Sequence, residues 1–165
     1  LFIRGNAAGR PMINSVGTPK LVVNGTALDY LAESFMAGDP LEGGGFVIIN
    51  GIEFDEKGEI HAMETPYPGG NLFSLSSGGA IYVRDPHDRL SASQLNGGDF
   101  TELTPADWAI LEPLLVENEE HFGISLAALL TVEGDVRAPE EVYRKIIPLK
   151  NRALSVEDAW AAKHD

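Results

Sequence analysis

Short runs of large apolar residues, each bounded by glycine, recur along the first half of the chain. The run at residues 46–49 lies within GGGFVIINGIEF, and similar runs lie within GTPKLVVNG (residues 17–25) and GGAIYVRD (residues 78–85). A half-buried strand would alternate apolar and polar residues, whereas these runs do not. The pattern therefore predicts strands that are buried on both faces, with glycines at tight turns.

The glycine-bounded runs also indicate a repeat. The residues between Gly45 and Gly51 match in kind those between Gly79 and Asp85, and LFIRGN at residues 1–6 has the form of a further copy. A repeat of about 20 residues is typical of a solenoid, in which each unit buries its apolar face against the next. The glycines predicted to lie at its corners are Gly5, Gly9, Gly17, Gly25, Gly38, Gly45, Gly51, Gly70 and Gly79.

The chain changes character near Asp99, so we place a boundary between residues 1–100, which hold the repeats, and residues 101–165, which are mainly helical. Thr104 as N-cap, followed by Pro105 and Asp107, predicts the start of a helix that Gly123 ends. We expect Pro113 to kink or divide this helix.

Shorter elements are predicted on both sides of the boundary. Residues 126–132 are expected to form a second helix, and Ser155 with Asp158 to begin a third. VYRKIIPLK at residues 142–150 is expected to be extended, and residues 52–68 to form a hairpin that turns at residues 56–58.

Composition limits the possible partners. The chain of 165 residues is 44% hydrophobic, which is enough for a core, and its formal net charge of −13 argues against binding nucleic acid or an anionic membrane. No apolar run approaches the ~20 residues that a transmembrane helix needs. With no cysteine, the chain can hold no disulfide, thiolate-bound zinc or iron–sulfur cluster, and we expect a cytoplasmic location.

Three glycine-punctuated segments carry a family resemblance: IRGNAAGRPM, VVNGTALDYLAESFMAGD and PGGNLFSLSSGGAIYVRD, followed by an acidic helical tail and IIPLK. In this order they resemble the C-terminal GXGXG domain of glutamate synthase, in the large subunit or as a separate archaeal-type subunit, up to about Leu154. The resemblance implies an all-β solenoid, a right-handed parallel β-helix with a short helical C-terminal cap and tail. Because the chain starts at Leu1 within a repeat, we expect it to be the C-terminal part of a longer polypeptide.

The resemblance also implies a function. In glutamate synthase this domain would be non-catalytic and would hold the glutamine amidotransferase and flavin synthase domains in register while they make glutamate from glutamine and 2-oxoglutarate. FMN, an iron–sulfur cluster and NADPH or ferredoxin would belong to those partner domains of a multi-component oxidoreductase. We therefore expect no catalytic, cofactor-binding or metal-binding residues on this chain. The alternatives are the scaffold subunit of a formylmethanofuran dehydrogenase or formyltransferase/hydrolase-like redox complex, and an enzyme with a site of its own.

Candidate chemistry in the first half has structural explanations. DPHD at residues 85–88 places His87 between carboxylates that could bind a metal, but Asp and Pro after a strand are ordinary turn residues. SLSSGG at residues 74–79 lacks both a G-x-S-x-G elbow and a local base. GGGF at residues 43–46 and GNAAGR at residues 5–10 open no predicted helix, so neither meets the dinucleotide-binding pattern.

The remaining histidines, His61, His121 and His164, show no metal-ligand spacing along the chain. ENEEH at residues 117–121 is expected to be a solvated helix face.

Overall fold

The computed structural model describes residues 1–149. The helix predicted from Ser155, His164 and the end of the family resemblance near Leu154 lie outside the described residues.

Ten strands and three α-helices form within residues 1–149. The strands are β1 Phe2–Ile3, β2 Lys20–Val23, β3 Phe46–Ile49, β4 Ile52–Phe54, β5 Ile60–Ala62, β6 Ala80–Arg84, β7 Gly98–Thr101, β8 Thr131–Val132, β9 Asp135–Val136 and β10 Tyr143–Pro148. The helices are α1 Pro105–Phe122, α2 Leu126–Leu130 and α3 Pro139–Val142.

A six-stranded sheet in the order β1-β2-β3-β6-β10-β7 forms the centre of the molecule. The first four strands are parallel and in register, so that Val22 pairs with Phe2 on one side and with Ile48 on the other. Strand β10 lies between β6 and β7 and is antiparallel to both, with Lys145 opposite Tyr82 and Thr101. The last part of the described chain therefore forms an interior strand of the sheet, one strand from its β7 edge.

The central strands are buried on both faces, as their unbroken apolar runs predict. On one side, which we call the helix face, Ile48 and Tyr82 pack in one cluster with Leu111 and Leu115 of α1. On the other side, which we call the loop face, Val47, Ile49 and Ile81 pack with loop residues that include Phe35, Tyr67 and Phe73. Alternate residues of a strand point to opposite faces, so both sets must be apolar.

The loop face is covered by stacked loops rather than by helices. Backbone hydrogen bonds join these loops, from Ala32 N to Pro11 O at 2.9 Å and from Ser34 N to Ser74 O at 2.8 Å. At alternate positions the loops contain non-glycine residues with a left-handed φ, namely Met12, Asn14, Tyr30, Ala32, Ser34, Asn71, Phe73 and Leu75. The same backbone conformation in three loops lets each one hydrogen-bond to the next.

Local sequence signals predicted several elements correctly. Strands β4 and β5 form the expected antiparallel hairpin, and residues 143–148 are extended. Helix α1 begins after Thr104, whose side chain accepts a hydrogen bond from Asp107 N, and it ends at Gly123 in a left-handed conformation. It continues through Pro113 without being divided, and α2 ends at Leu130, two residues earlier than predicted.

The predicted fold class, a right-handed parallel β-helix, is wrong. The protein has a mixed α/β fold with sheets of six, two and two strands and three α-helices within residues 1–149. Apolar runs between glycines report burial on both faces and tight turns, and a sheet covered by loops and helices meets these requirements as well as a solenoid does. Strand β10 is not an apolar run between glycines, so its antiparallel place in the sheet could not be predicted from this pattern.

The boundary predicted near residue 100 stays a prediction. Residues on both sides of it share one sheet, in which β6 pairs with β10. No helix within residues 1–149 is long and apolar enough to cross a bilayer.

Candidate functional site

A groove of about 630 Å³ opens where three segments meet, beside the start of β6 and the end of β10. Residues 38–41 and 76–79 form two of its sides, and the end of β10 forms the third. Pro40 begins a short 3₁₀ helix whose N-cap is Asp39, and Gly79 leads directly into β6. The groove is thus built on turns that are anchored to the central sheet.

Lys145 is the buried cation that lines this groove. Its Nζ donates a hydrogen bond of 2.7 Å to Oδ1 of Asp107, and the Tyr82 hydroxyl donates to the same oxygen at 2.6 Å. The other carboxylate oxygen of Asp107 accepts from Thr104 N at 2.9 Å and from Thr104 Oγ1 at 2.7 Å. One carboxylate therefore joins the start of α1 to both β6 and β10.

The charges in this cluster follow from its hydrogen bonds. Burial acts to raise the pKa of Asp107, but hydrogen bonds from Lys145, Tyr82 and Thr104 outweigh it, so the pKa lies below its ordinary value. Burial, together with the hydrogen bond to the Asp107 carboxylate, raises the pKa of Tyr82. Asp107 is therefore a carboxylate and Tyr82 a neutral hydroxyl that donates to it.

A second buried polar cluster fixes α1 on the helix face. The side-chain amides of Asn24 and Asn118 donate to each other, both at 2.8 Å, and Asn50 donates to Asn24 at 2.9 Å. The Tyr143 hydroxyl donates to Asn50 at 2.7 Å, and burial raises its pKa. Asn118 lies within ENEEH, so one residue of this predicted solvated face is fully buried.

The DPHD segment forms a turn, as its structural explanation predicts. The buried Asp85 carboxylate accepts hydrogen bonds from Arg89 N at 2.8 Å and Leu90 N at 2.9 Å, and it pairs with Arg144 at 2.9 Å. His87 faces away, with Nε2 3.8 Å from Glu133 Oε1. The Asp85 carboxylate therefore stabilises this turn and pairs with Arg144, which accounts for its position without a metal.

The structure brings His61 together with Asp55 and Glu59 on the β4–β5 hairpin. Their ligand atoms lie within 4.8 Å of one another, and all three residues are exposed. Hydrogen bonds from the His61 side chain and from the Glu59 backbone lower the pKa of Asp55. These are the residues that could hold a cation, but turn hydrogen bonds already account for the position of Asp55. On α1, Nε2 of His121 lies 3.4 Å from Oε1 of Glu117.

Of the glycines predicted at corners, Gly9, Gly17, Gly38, Gly51 and Gly79 have a left-handed φ. Gly25 and Gly45 lie at close approaches instead, where an added Cβ would meet the Asn6 side chain and the Pro19 carbonyl. An added Cβ at Gly5 or Gly70 would meet open space.

Sequence reasoning missed the groove. It treated residues 74–79 as a polar surface, whereas residues 76–79 line the groove, and it used Asp107 only as a helix-capping residue. The one available signal was Lys145 beside Ile146 and Ile147 in the segment that was predicted to be extended, since a lysine that is buried with apolar neighbours requires a partner. The other two glycine-rich candidates, residues 5–10 and 43–46, do not line the groove.

A separate surface lies at the β1 end of the sheet. The bridges Ala7–Ala27 and Val16–Met36 extend the parallel pairing beyond β1, so residues 1–17 form one outer layer. Within residues 1–149, β1 has a strand neighbour on one side only. We call the outer side of residues 1–17 the edge surface.

Comparisons of the chain with protein-family models, with curated proteins and with solved structures found no match.

Proposed function

We propose that this chain is a non-catalytic structural unit of a glutamate synthase-type enzyme, in which it holds the amidotransferase and flavin domains in register. The resemblance of the glycine-punctuated segments supports the choice of enzyme. The β-helix that this resemblance implied is not the fold, so the structural role rests on the edge surface.

The edge surface is suited to binding an extended segment of a neighbouring domain. Val22 N donates to Leu1 O and Asn24 N donates to Ile3 O, so the backbone groups of Phe2 point away from β2. Unpaired strand edges of this kind accept an added strand through main-chain hydrogen bonds. Leu1 and Val16 are 76% and 63% exposed and give this edge apolar contact area.

Charge distinguishes this end from the rest of the chain. Residues 1–28 contain Arg4, Arg10 and Lys20 and no Asp or Glu, although the formal net charge of the chain is −13. All three basic residues are exposed. The partner segment is therefore acidic as well as extended, since opposite charges steer and align association.

Co-expression with the amidotransferase and flavin domains of glutamate synthase from the same organism tests the proposal. We expect a stable complex that weakens as salt is raised, and glutamate formation from glutamine and 2-oxoglutarate that depends on this chain. Val16→Glu should disrupt the complex. Val136→Glu is the matched control, because Val136 is 70% exposed on the β8–β9 hairpin outside the edge surface.

Failure to co-purify with either domain would overturn the proposal, as would equal effects of the two variants. Co-purification with formyltransferase/hydrolase-like subunits in place of those domains would also overturn it and would support the alternative scaffold role.

A further inference from the structure

We propose that the groove between residues 38–41, 76–79 and the end of β10 binds a small monocarboxylic acid with an apolar body, whose carboxylate is held by Lys145. This inference is independent of the partner domains in the proposed function, because it concerns a cavity within this chain.

Lys145 has hydrogen-bonding capacity left for a ligand. An ammonium group carries three N–H donors, and Asp107 is its one hydrogen-bond partner among the side chains and backbone of residues 1–149. The Lys145 side chain is 10% exposed, and it lines the groove. A ligand in the groove can therefore accept from the remaining donors without displacing Asp107.

The ion pair of Lys145 with Asp107 has no net formal charge, so the potential at the inner end of the groove depends on the groups around the pair. The Asp107 carboxylate is shared among four donors, from Lys145, Tyr82 and both polar groups of Thr104. It also lies in the first turn of the 18-residue α1, whose N-terminal end carries about half a positive charge. The end of α1 therefore adds positive potential beside this ion pair, and the unused N–H donors of Lys145 can form charge-assisted hydrogen bonds, which favours a carboxylate over a neutral acceptor.

The outer part of the groove selects the rest of the ligand. Pro40, Leu41, Ile147, Pro148 and Leu149 line it and offer apolar contact to a hydrocarbon body. Asp39 is exposed and is the one acidic residue among those that line the groove. Its charge opposes a second carboxylate on the ligand, so a monocarboxylate fits better than a dicarboxylate.

Binding of three probes to the full chain tests this inference by calorimetry or by NMR titration. We expect 4-methylpentanoate to bind at least tenfold more tightly than the uncharged 4-methylpentanamide, and more tightly than glutarate, which adds a second carboxylate. Lys145→Met should abolish the preference for the acid over the amide. Ser77→Trp, which adds a large side chain at an exposed position that lines the groove and leaves Lys145 and Asp107 unchanged, should weaken binding of the acid at least tenfold.

Ser93→Trp is the matched control, because Ser93 is exposed on a different turn and should leave the affinity unchanged. Equal affinities for acid and amide, no measurable binding of the acid, or retained binding in Ser77→Trp would each overturn the inference. The Ser77 variant keeps the test decisive if Lys145→Met does not fold.

Discussion

Gly58 and Gly79 have nearly the same φ but different surroundings. Replacing each by alanine therefore distinguishes the free-energy cost of backbone strain from that of a packing clash. Gly58 has φ +80° with open space where a Cβ would lie, whereas Gly79 has φ +82° and an added Cβ would meet the Phe35 ring. A non-glycine residue in this region costs roughly 1–2 kcal/mol from backbone strain alone.

We predict that Gly58→Ala lowers the free energy of unfolding by that strain alone, and that Gly79→Ala lowers it by about 1–3 kcal/mol more because Phe35 must move. Urea denaturation of both variants measures the difference. Equal losses would mean that the Phe35 ring adapts to the extra methyl group at no cost.

Tight turns at glycines could be predicted from the sequence, because such turns favour glycine. The left-handed conformation of the non-glycine residues could not be predicted. Asn14 and Asn71 belong to a residue type that adopts this conformation readily, whereas Met12, Tyr30 and Phe73 do not. Their conformation is imposed by hydrogen bonds between loops, such as Phe73 N to Leu31 O at 3.0 Å, which depend on contacts between distant segments.

At the scale of elements, buried amides attach α1 to the sheet. Asn118 is fully buried and exchanges two hydrogen bonds with Asn24 across 94 positions of sequence. Loss of a partner leaves a buried polar group unsatisfied, which costs about 1–3 kcal/mol per group.

We therefore predict that Asn118→Ala lowers the free energy of unfolding by at least that amount. The exposed neighbour Glu117→Ala is the control and should cost less than about 0.5 kcal/mol. Thermal and urea unfolding of both variants checks the prediction, and similar losses would show that the amide cluster does not hold the helix.

The pairing of α1 with β10 through Asp107 and Lys145 predicts a pH dependence. Because the folded-state pKa of Asp107 is lowered, its contribution to stability is complete above the unfolded-state pKa of about 4 and is lost as pH falls through the folded value. The free energy of unfolding should therefore decrease more steeply below about pH 5 in the wild type than in Asp107→Asn.

Urea denaturation between pH 2 and 7 measures both curves. Glu120→Gln, an exposed change on the same helix that removes the same charge, should retain the wild-type slope. Parallel curves for the wild type and Asp107→Asn would contradict the predicted contribution.

Elements specified by nearby residues were predictable, and those specified by distant partners were not. The capping residues of α1 and the turn of the β4–β5 hairpin lie within a few positions of what they control. The contact of Lys145 with Asp107 spans 38 positions, and although a lysine beside apolar residues indicates that it needs a partner, no nearby residue identifies that partner as Asp107. The groove could not be predicted for the same reason.

At the scale of the whole molecule, β10 comes late in the chain but lies in the interior of the sheet. Strand β10 has hydrogen-bonded neighbours on both sides, and Ile146 is fully buried, whereas β1 has one strand neighbour among residues 1–149. Burial on both faces was predictable from apolar runs, but the order of the strands was not, because the runs do not specify direction or partner.

We predict that amide hydrogen exchange is slowest in β3, β6 and β10, and that it is much faster in β1 and in the short β8–β9 hairpin. Mass spectrometry of peptides that cover residues 143–148 and 131–136 measures the comparison. Similar exchange rates in these two peptides would show that β10 is not part of the stable centre.

The position of β10 between two strands that are made before it has a consequence for synthesis. Strands β1, β2, β3 and β6 leave the ribosome in the order in which they lie side by side, so each can pair with its predecessor as it emerges. Strand β10 is the last of the described strands to be made, yet it lies between β6 and β7. Until residue 148 has emerged, β6 and β7 each present an unpaired edge to neighbouring chains. A translation pause shortly before Tyr143 would prolong that exposure, and nascent chains held there are the ones that most need a chaperone.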